Sequence, residues 1–124
     1  MKQKLILLLL LTIGIVACNK EFEPVKTHTF QVTKADRDTV FFAKNEKTAT
    51  SFTMILEGAL TKTALIMWSA DSLFTDQTGF GHGAGKNDPY SFTVNQFNSD
   101  KLYLKYQPVQ DSITGNLTIK VQFR

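Results

Sequence analysis

From residue 28 onward, apolar and polar positions alternate in short runs. Period-two alternation places successive side chains on opposite faces of an extended strand. In Ser51–Glu57, Phe52, Met54 and Leu56 share one face, and Ser51, Thr53 and Glu57 share the other. Tyr90, Phe92 and Val94 form one stripe, and Leu102, Leu104 and Tyr106 form another. Leu117, Ile119, Val121 and Phe123 alternate with Thr118, Lys120 and Gln122, the cleanest strand of all. Two shorter runs, 28–32 and 39–43, also read as strands. Ala64–Ser69 is apolar on both faces and predicts a central strand buried on two sides. Gly58-Ala59 reads as a turn, and Gly115-Asn116 as the loop of a hairpin joining the last two strands. No stretch carries a helical repeat; Asp71–Asp76 predicts one turn with Asp71 as its N-cap. Seven short strands with turn signals between them predict an all-β fold, an immunoglobulin-like antiparallel sandwich of about seven strands.

The beginning of the chain follows another pattern. Lys2 and Lys4 precede an apolar stretch from Leu5 to Ala17, 13 residues long. A membrane-spanning helix needs about 20. The charged, apolar, small-residue order is that of a secretory signal peptide over residues 1–17. Ile15-Val16-Ala17-Cys18 has the form of a bacterial lipobox, where cleavage precedes a cysteine carrying diacylglycerol. The thioether requires a thiol at that position, and Cys18 is the only cysteine in the chain. That excludes an internal disulfide and a cysteine-based zinc site. Once acylated, the sulfur is no nucleophile. Residues 18–27 then form the lipidated cysteine and a polar tether containing Pro24, and residues 28–124 form the sandwich domain. Asn19 is not the aspartate that retains some lipoproteins in the inner membrane. Lys20-Glu21-Phe22-Glu23 partly resembles the lysine-plus-acidic surface-export signal. The expectation is an outer-membrane lipoprotein facing the periplasm or the cell surface.

Charge changes once the leader is set aside. Lys2 and Lys4 belong to the 14 basic residues; without them 12 basic residues face 11 acidic, a net of +1. The mature part carries no electrostatic footprint for nucleic acid. All 10 Phe, all 3 Tyr and the single Trp lie beyond residue 18. Aromatic and β-branched enrichment favours strands.

Ser51-Phe52-Thr53-Met54-Ile55-Leu56-Glu57-Gly58-Ala59-Leu60-Thr61 resembles the strand-and-turn signature of the ASH/MSP-like immunoglobulin domains. Leu102-Tyr103-Leu104-Lys105-Tyr106-Gln107-Pro108, followed by Gly115-Asn116-Leu117-Thr118-Ile119, resembles that family's final hairpin. The resemblance covers roughly residues 38–124 and departs from the family between Asp71 and Pro89. It implies a structural or binding module, without shared catalytic residues.

Residues 79–86 hold four of the seven glycines. As a phosphate loop the segment fails, because Phe80 stands where the first glycine is needed and Asn87 replaces the Ser or Thr. It reads as a surface loop between strands. Its sharper reading is a ligand loop presenting Phe80, His82 and Lys86, with Tyr90 close by. His28 and His82 are the only histidines, and their spacing supports no metal site. Asp36 and Asp38 flank Arg37 and read as a charged turn; Trp68 reads as core. Asp38-Thr39-Val40, Asp71-Ser72-Leu73 and Asp111-Ser112-Ile113 match an aspartate–hydroxyl–apolar motif for O-glycosylation of exported proteins, with Thr39, Ser72 and Ser112 as acceptors. Asp-Ser and Asp-Thr are equally at home in turns.

These residues together predict a lipid-anchored, non-catalytic binding or structural module of the cell envelope, needing no cofactor. Its partners would be the membrane and a protein or glycan, not nucleic acid. The alternative is a periplasmic inhibitor or chaperone-like protein binding through a sheet edge. An enzyme is the third and weakest reading.

Overall fold

A computed structural model describes residues 26–83 and 89–124. The leader, Cys18, most of the tether and Lys86 lie outside the described residues. The chain forms eight strands in the order β1 (Thr27–Val32), β2 (Thr39–Lys44), β3 (Ser51–Leu60), β4 (Ala64–Ser69), β5 (Thr78–His82), β6 (Tyr90–Asn95), β7 (Lys101–Pro108) and β8 (Gly115–Phe123). They make two four-stranded antiparallel sheets, β1-β8-β3-β6 and β2-β7-β4-β5. The all-β antiparallel sandwich expected from the alternation is therefore the fold. All seven expected strands are present, and no helix lies among the described residues.

The pairing has a nested order. β4 pairs with β5, β3 with β6, β2 with β7 and β1 with β8. The chain doubles back at the β4–β5 connection, and the doubled ribbon winds into two facing sheets. The layout is an immunoglobulin-like pair of sheets, and the strand order is that of a double-sheet jelly roll. β8 lies between β1 and β3, whereas β7 lies in the opposite sheet. The hairpin expected across Gly115-Asn116 is therefore not made: β7 and β8 are joined by a crossing between sheets.

Nor does Gly58-Ala59 turn the chain. Gly58 lies inside β3, and Gly115 opens β8 alongside it. Both have positive φ, 125° and 121°. A Cβ on Gly58 would strike the Asn116 carbonyl oxygen, and one on Gly115 would strike that of Ala59. The two glycines let the β3–β8 ladder run together at its tight end.

The core fills from both inner faces. Phe52, Met54, Leu56, Leu117, Ile119 and Val121 come from the first sheet. Ala64, Ile66, Trp68, Leu102, Leu104 and Tyr106 come from the second. Phe52 sets its ring edge-on to Phe97 and Trp68, at centroid distances of 5.1 and 6.3 Å. Burial of this kind contributes about 25 cal/mol per Å² of apolar surface removed from water. The Tyr106 hydroxyl donates to the Ala35 carbonyl at 2.8 Å, tying β7 to the β1–β2 connection inside the core.

Candidate functional site

The glycine-rich segment differs from expectation. Thr78-Gly79-Phe80-Gly81-His82 is strand β5, hydrogen-bonded to β4 with Phe80 opposite Ile66 and His82 opposite Ala64. Phe80 and His82 point inward, so they are not displayed at a loop tip. His82 is only 4% exposed. Phe80 packs 5.0 Å from Phe92, 5.8 Å from Tyr90 and 6.1 Å from Trp68, ring to ring. The His82 and Tyr90 rings are 5.8 Å apart. Phe80, His82 and Tyr90 are thus brought together, as a seam closing the sandwich between edge strands β5 and β6. His82 is buried, and Phe80 and Tyr90 are half-buried against the core. Gly79 faces outward, where a Cβ would stand 2.6 Å from the Met67 Cγ. Glycine there lets Met67 lie across the edge strand.

The β4–β5 connection is organised by Asp71. Its Oδ1 accepts the Leu73 N–H at 2.9 Å, and its Oδ2 accepts the Thr75 hydroxyl. The Thr75 hydrogen bond, helped by donors from the backbone and Ser69, holds the Asp71 carboxyl below its ordinary pKa. Asp71 is therefore a local acceptor, as its expected capping role requires, in turns and not a helix. Phe74 sits in this connection at φ 54°, unusual for a bulky residue, with its N–H donating to the Asp71 carbonyl at 3.2 Å.

The three candidate glycosylation acceptors occupy different settings. Ser72 is exposed in the Asp71 turn. Ser112 is exposed at φ 61°, next to the buried Ile113. Thr39 is half-buried in β2 opposite Tyr106. Asp36 and Asp38 lie exposed around a turn, as expected, and Trp68 is core.

The described surface includes the following clefts. One lies among Asn45, Thr48, Ala49, Asn98, Ser99 and Asp100, about 260 Å³ in volume. A second, about 540 Å³, runs from Thr33–Asp36 to Ser112–Gly115. The third, about 320 Å³, has Trp68, Val94 and Phe97 at its base and Asp76, Gln96 and Asn98 around it. Each contains one carboxylate and no histidine. Among the described residues, no group of three or more His, Cys, Asp or Glu could hold a metal ion.

The outer faces of the two sheets differ. On β1-β8-β3-β6, outward positions are mostly polar: Thr27, Thr29, Gln31, Thr53, Ser91, Thr93, Thr118 and Gln122. Lys120 there pairs with Glu57 at 3.1 Å. On β2-β7-β4-β5, cross-strand neighbours are Val40 with Lys105, Phe42 with Tyr103, and Lys44 with Lys101. The Phe42 and Tyr103 rings lie 5.2 Å apart, and Phe74 adds its ring 6.5 Å from Tyr103. The sequence reading missed this face. Its signal was the run Val40-Phe41-Phe42, which breaks the alternation by placing apolar residues on both sides of one strand.

No protein-family model and no curated protein sequence matches the chain. Among solved structures, it is similar to a de novo designed double-stranded β-helix determined by solution NMR, with 9% identity over 80% of this chain and 99% of that one, at a TM-score of 0.38. It is also similar to a chain of desmodium yellow mottle tymovirus, with 15% identity over 81% of this chain and 86% of that one, at a TM-score of 0.40.

Proposed function

We propose that this protein is a lipid-anchored, non-catalytic contact module of the bacterial cell envelope, held at the outer membrane through Cys18. The observation that carries the reading is the sequence Ile15-Val16-Ala17-Cys18 at the end of a 13-residue apolar leader. Acyl chains contribute about 0.8 kcal/mol per buried methylene, so a diacylated and N-acylated cysteine holds a domain stably on a bilayer. The resemblance to ASH/MSP-like domains supports a structural or binding module, although its final hairpin is not made here.

The alternative, an inhibitor or chaperone-like protein using a sheet edge, is weakened by the edges themselves. Edge strands β1, β2, β5 and β6 have only five or six residues, while the longest strands, β3 and β8, are interior. Short edges discourage strand addition.

The test is fractionation of cells making the full chain, with metabolic labelling by a clickable fatty acid. The wild-type chain is expected in the membrane fraction carrying label, and Cys18→Ser in the soluble fraction without it. Label that persists in Cys18→Ser would overturn the anchor. Protease shaving of intact cells then separates the surface face from the periplasmic one.

A further inference from the structure

The four strands of the β2-β7-β4-β5 sheet contain Lys44, Lys101 and Lys105 and no Asp or Glu. All three lysines point to the outer face, because their neighbours Ala43, Leu102 and Leu104 point into the core. Lys44 and Lys101 are directly opposite each other. Like charges at directly opposed positions destabilise a strand pair. The Lys26–Glu46 and Lys120–Glu57 ion pairs involve neither Lys44 nor Lys101.

This face and the segments bordering it carry apolar groups turned to water. The exposed large hydrophobic residues are Val40, Phe42, Leu73 and Val109, at 54, 47, 83 and 57%. All four belong to β2, to the β4–β5 connection or to the residue after β7; none belongs to the other sheet. Phe74 is kept at a left-handed backbone conformation beside Tyr103, with the Lys105 Nζ 5.9 Å from its ring centroid. Strain of this sort persists only where surrounding structure enforces it.

We infer that this face lies against an anionic lipid bilayer, with Val40, Phe42, Leu73 and Phe74 entering the interface and Lys44, Lys101 and Lys105 meeting the head groups. Three observations select the bilayer over other occupants. A second copy would set lysines against lysines. A glycan site is concave, whereas Val40 and Phe42 project from the outer face of a sheet. Exposed Val40 and Leu73 are aliphatic, suited to acyl chains more than to sugar rings. The chain also enters at the correct end, since Lys26 pairs with Glu46, two residues beyond Lys44. Cys18 stands eight residues before Lys26, a reach of about 28 Å at full extension. This inference rests on the anchor proposed above: a lipid at Cys18 keeps the domain within that reach of a bilayer. Lysines near an anionic membrane are attracted to its surface potential.

The full chain carrying Phe42→Trp or Thr93→Trp is reconstituted into vesicles with brominated acyl chains, made of phosphatidylcholine alone or mixed with phosphatidylglycerol. Thr93 faces outward from the other sheet, and the buried Trp68 is common to both variants. Protease resistance confirms that each is folded, and Val40→Trp serves as a second reporter. Phe42→Trp is expected to be quenched, more strongly with phosphatidylglycerol, and Thr93→Trp to be unaffected. Adding Lys44→Gln, Lys101→Gln and Lys105→Gln is expected to remove the phosphatidylglycerol dependence. Equal quenching of the two reporters, or no quenching of Phe42→Trp, overturns the proposal. A change in Phe42→Trp emission only with soluble polygalacturonate assigns the face to an acidic glycan, and a change only on raising protein concentration assigns it to a second copy; either overturns the lipid. The anchor is read separately, from fractionation of Cys18→Ser: quenching at Phe42→Trp without lipid at Cys18 removes the anchor and keeps the face.

Discussion

Tyr106 illustrates how one side chain holds distant segments together. Its ring is buried, and its hydroxyl donates to Ala35, 71 residues away. Burial and the nearby Asp36 carboxylate raise the phenol above its ordinary pKa, so it remains a donor. Tyr106→Phe is expected to cost about 1–3 kcal/mol in urea unfolding, because the Ala35 carbonyl loses a buried donor. The raised pKa also sets a pH limb: this stabilisation is complete below the unfolded value near pH 10 and declines as pH rises through the folded one. Gly115 is a second such residue. Gly115→Ala is expected to destabilise by more than about 1 kcal/mol, since alanine disfavours its φ of 121° and the new Cβ meets the Ala59 carbonyl.

At the scale of the element, β5 and the turn before it are the informative parts. Gly79 and Gly81 look like loop residues by composition, yet they face outward on a strand whose other side is Phe80 and His82. Glycine content is a turn signal in the sequence; here it serves close approach of Met67 instead. The turn is held by Asp71, which accepts from Leu73 and Thr75. Asp71→Ala is expected to lower the melting temperature and to speed proteolysis between residues 70 and 77. Because the Asp71 carboxyl is held below its ordinary pKa, its contribution is present above about pH 3.9 and is lost as pH falls through the folded value. A pH titration comparing wild type with Asp71→Asn checks this, the variant lacking that limb.

For the whole molecule, the nested ribbon has a kinetic consequence. Thr27 pairs with Gln122, and β8 is bonded on both sides, to β1 and to β3. Pairings so far apart in sequence close large loops before they bring any stabilisation, and such topologies fold in milliseconds to seconds. Stopped-flow refolding is expected to fall in that range. Ending the chain at Thr114 removes one of the two interior strands of a sheet, and this variant is expected to lose cooperative unfolding altogether. A truncated chain that still melted cooperatively would show that the β3–β6 pair and the second sheet suffice.

The sequence alone determined the strands and their inner faces. The stripes Phe52-Met54-Leu56 and Leu117-Ile119-Val121 are local facts, because side chains alternate wherever a strand is extended. Burial of Trp68 and the apolar strand from Ala64 to Ser69 were legible for the same reason. Local pattern carries no information about which strand lies beside which. That β8 joins β1 and β3, and that Gly58 and Gly115 serve one ladder instead of two turns, was decided by pairing across the molecule. The candidate site moved on the same ground. A glycine-rich loop would display Phe80 and His82 at its tip; the pairing of β5 to β4 instead turns both inward, with His82 buried and Phe80 half-buried. Val40, Phe42, Tyr103 and the three lysines share a face only because β2 and β7, far apart in the chain, lie side by side.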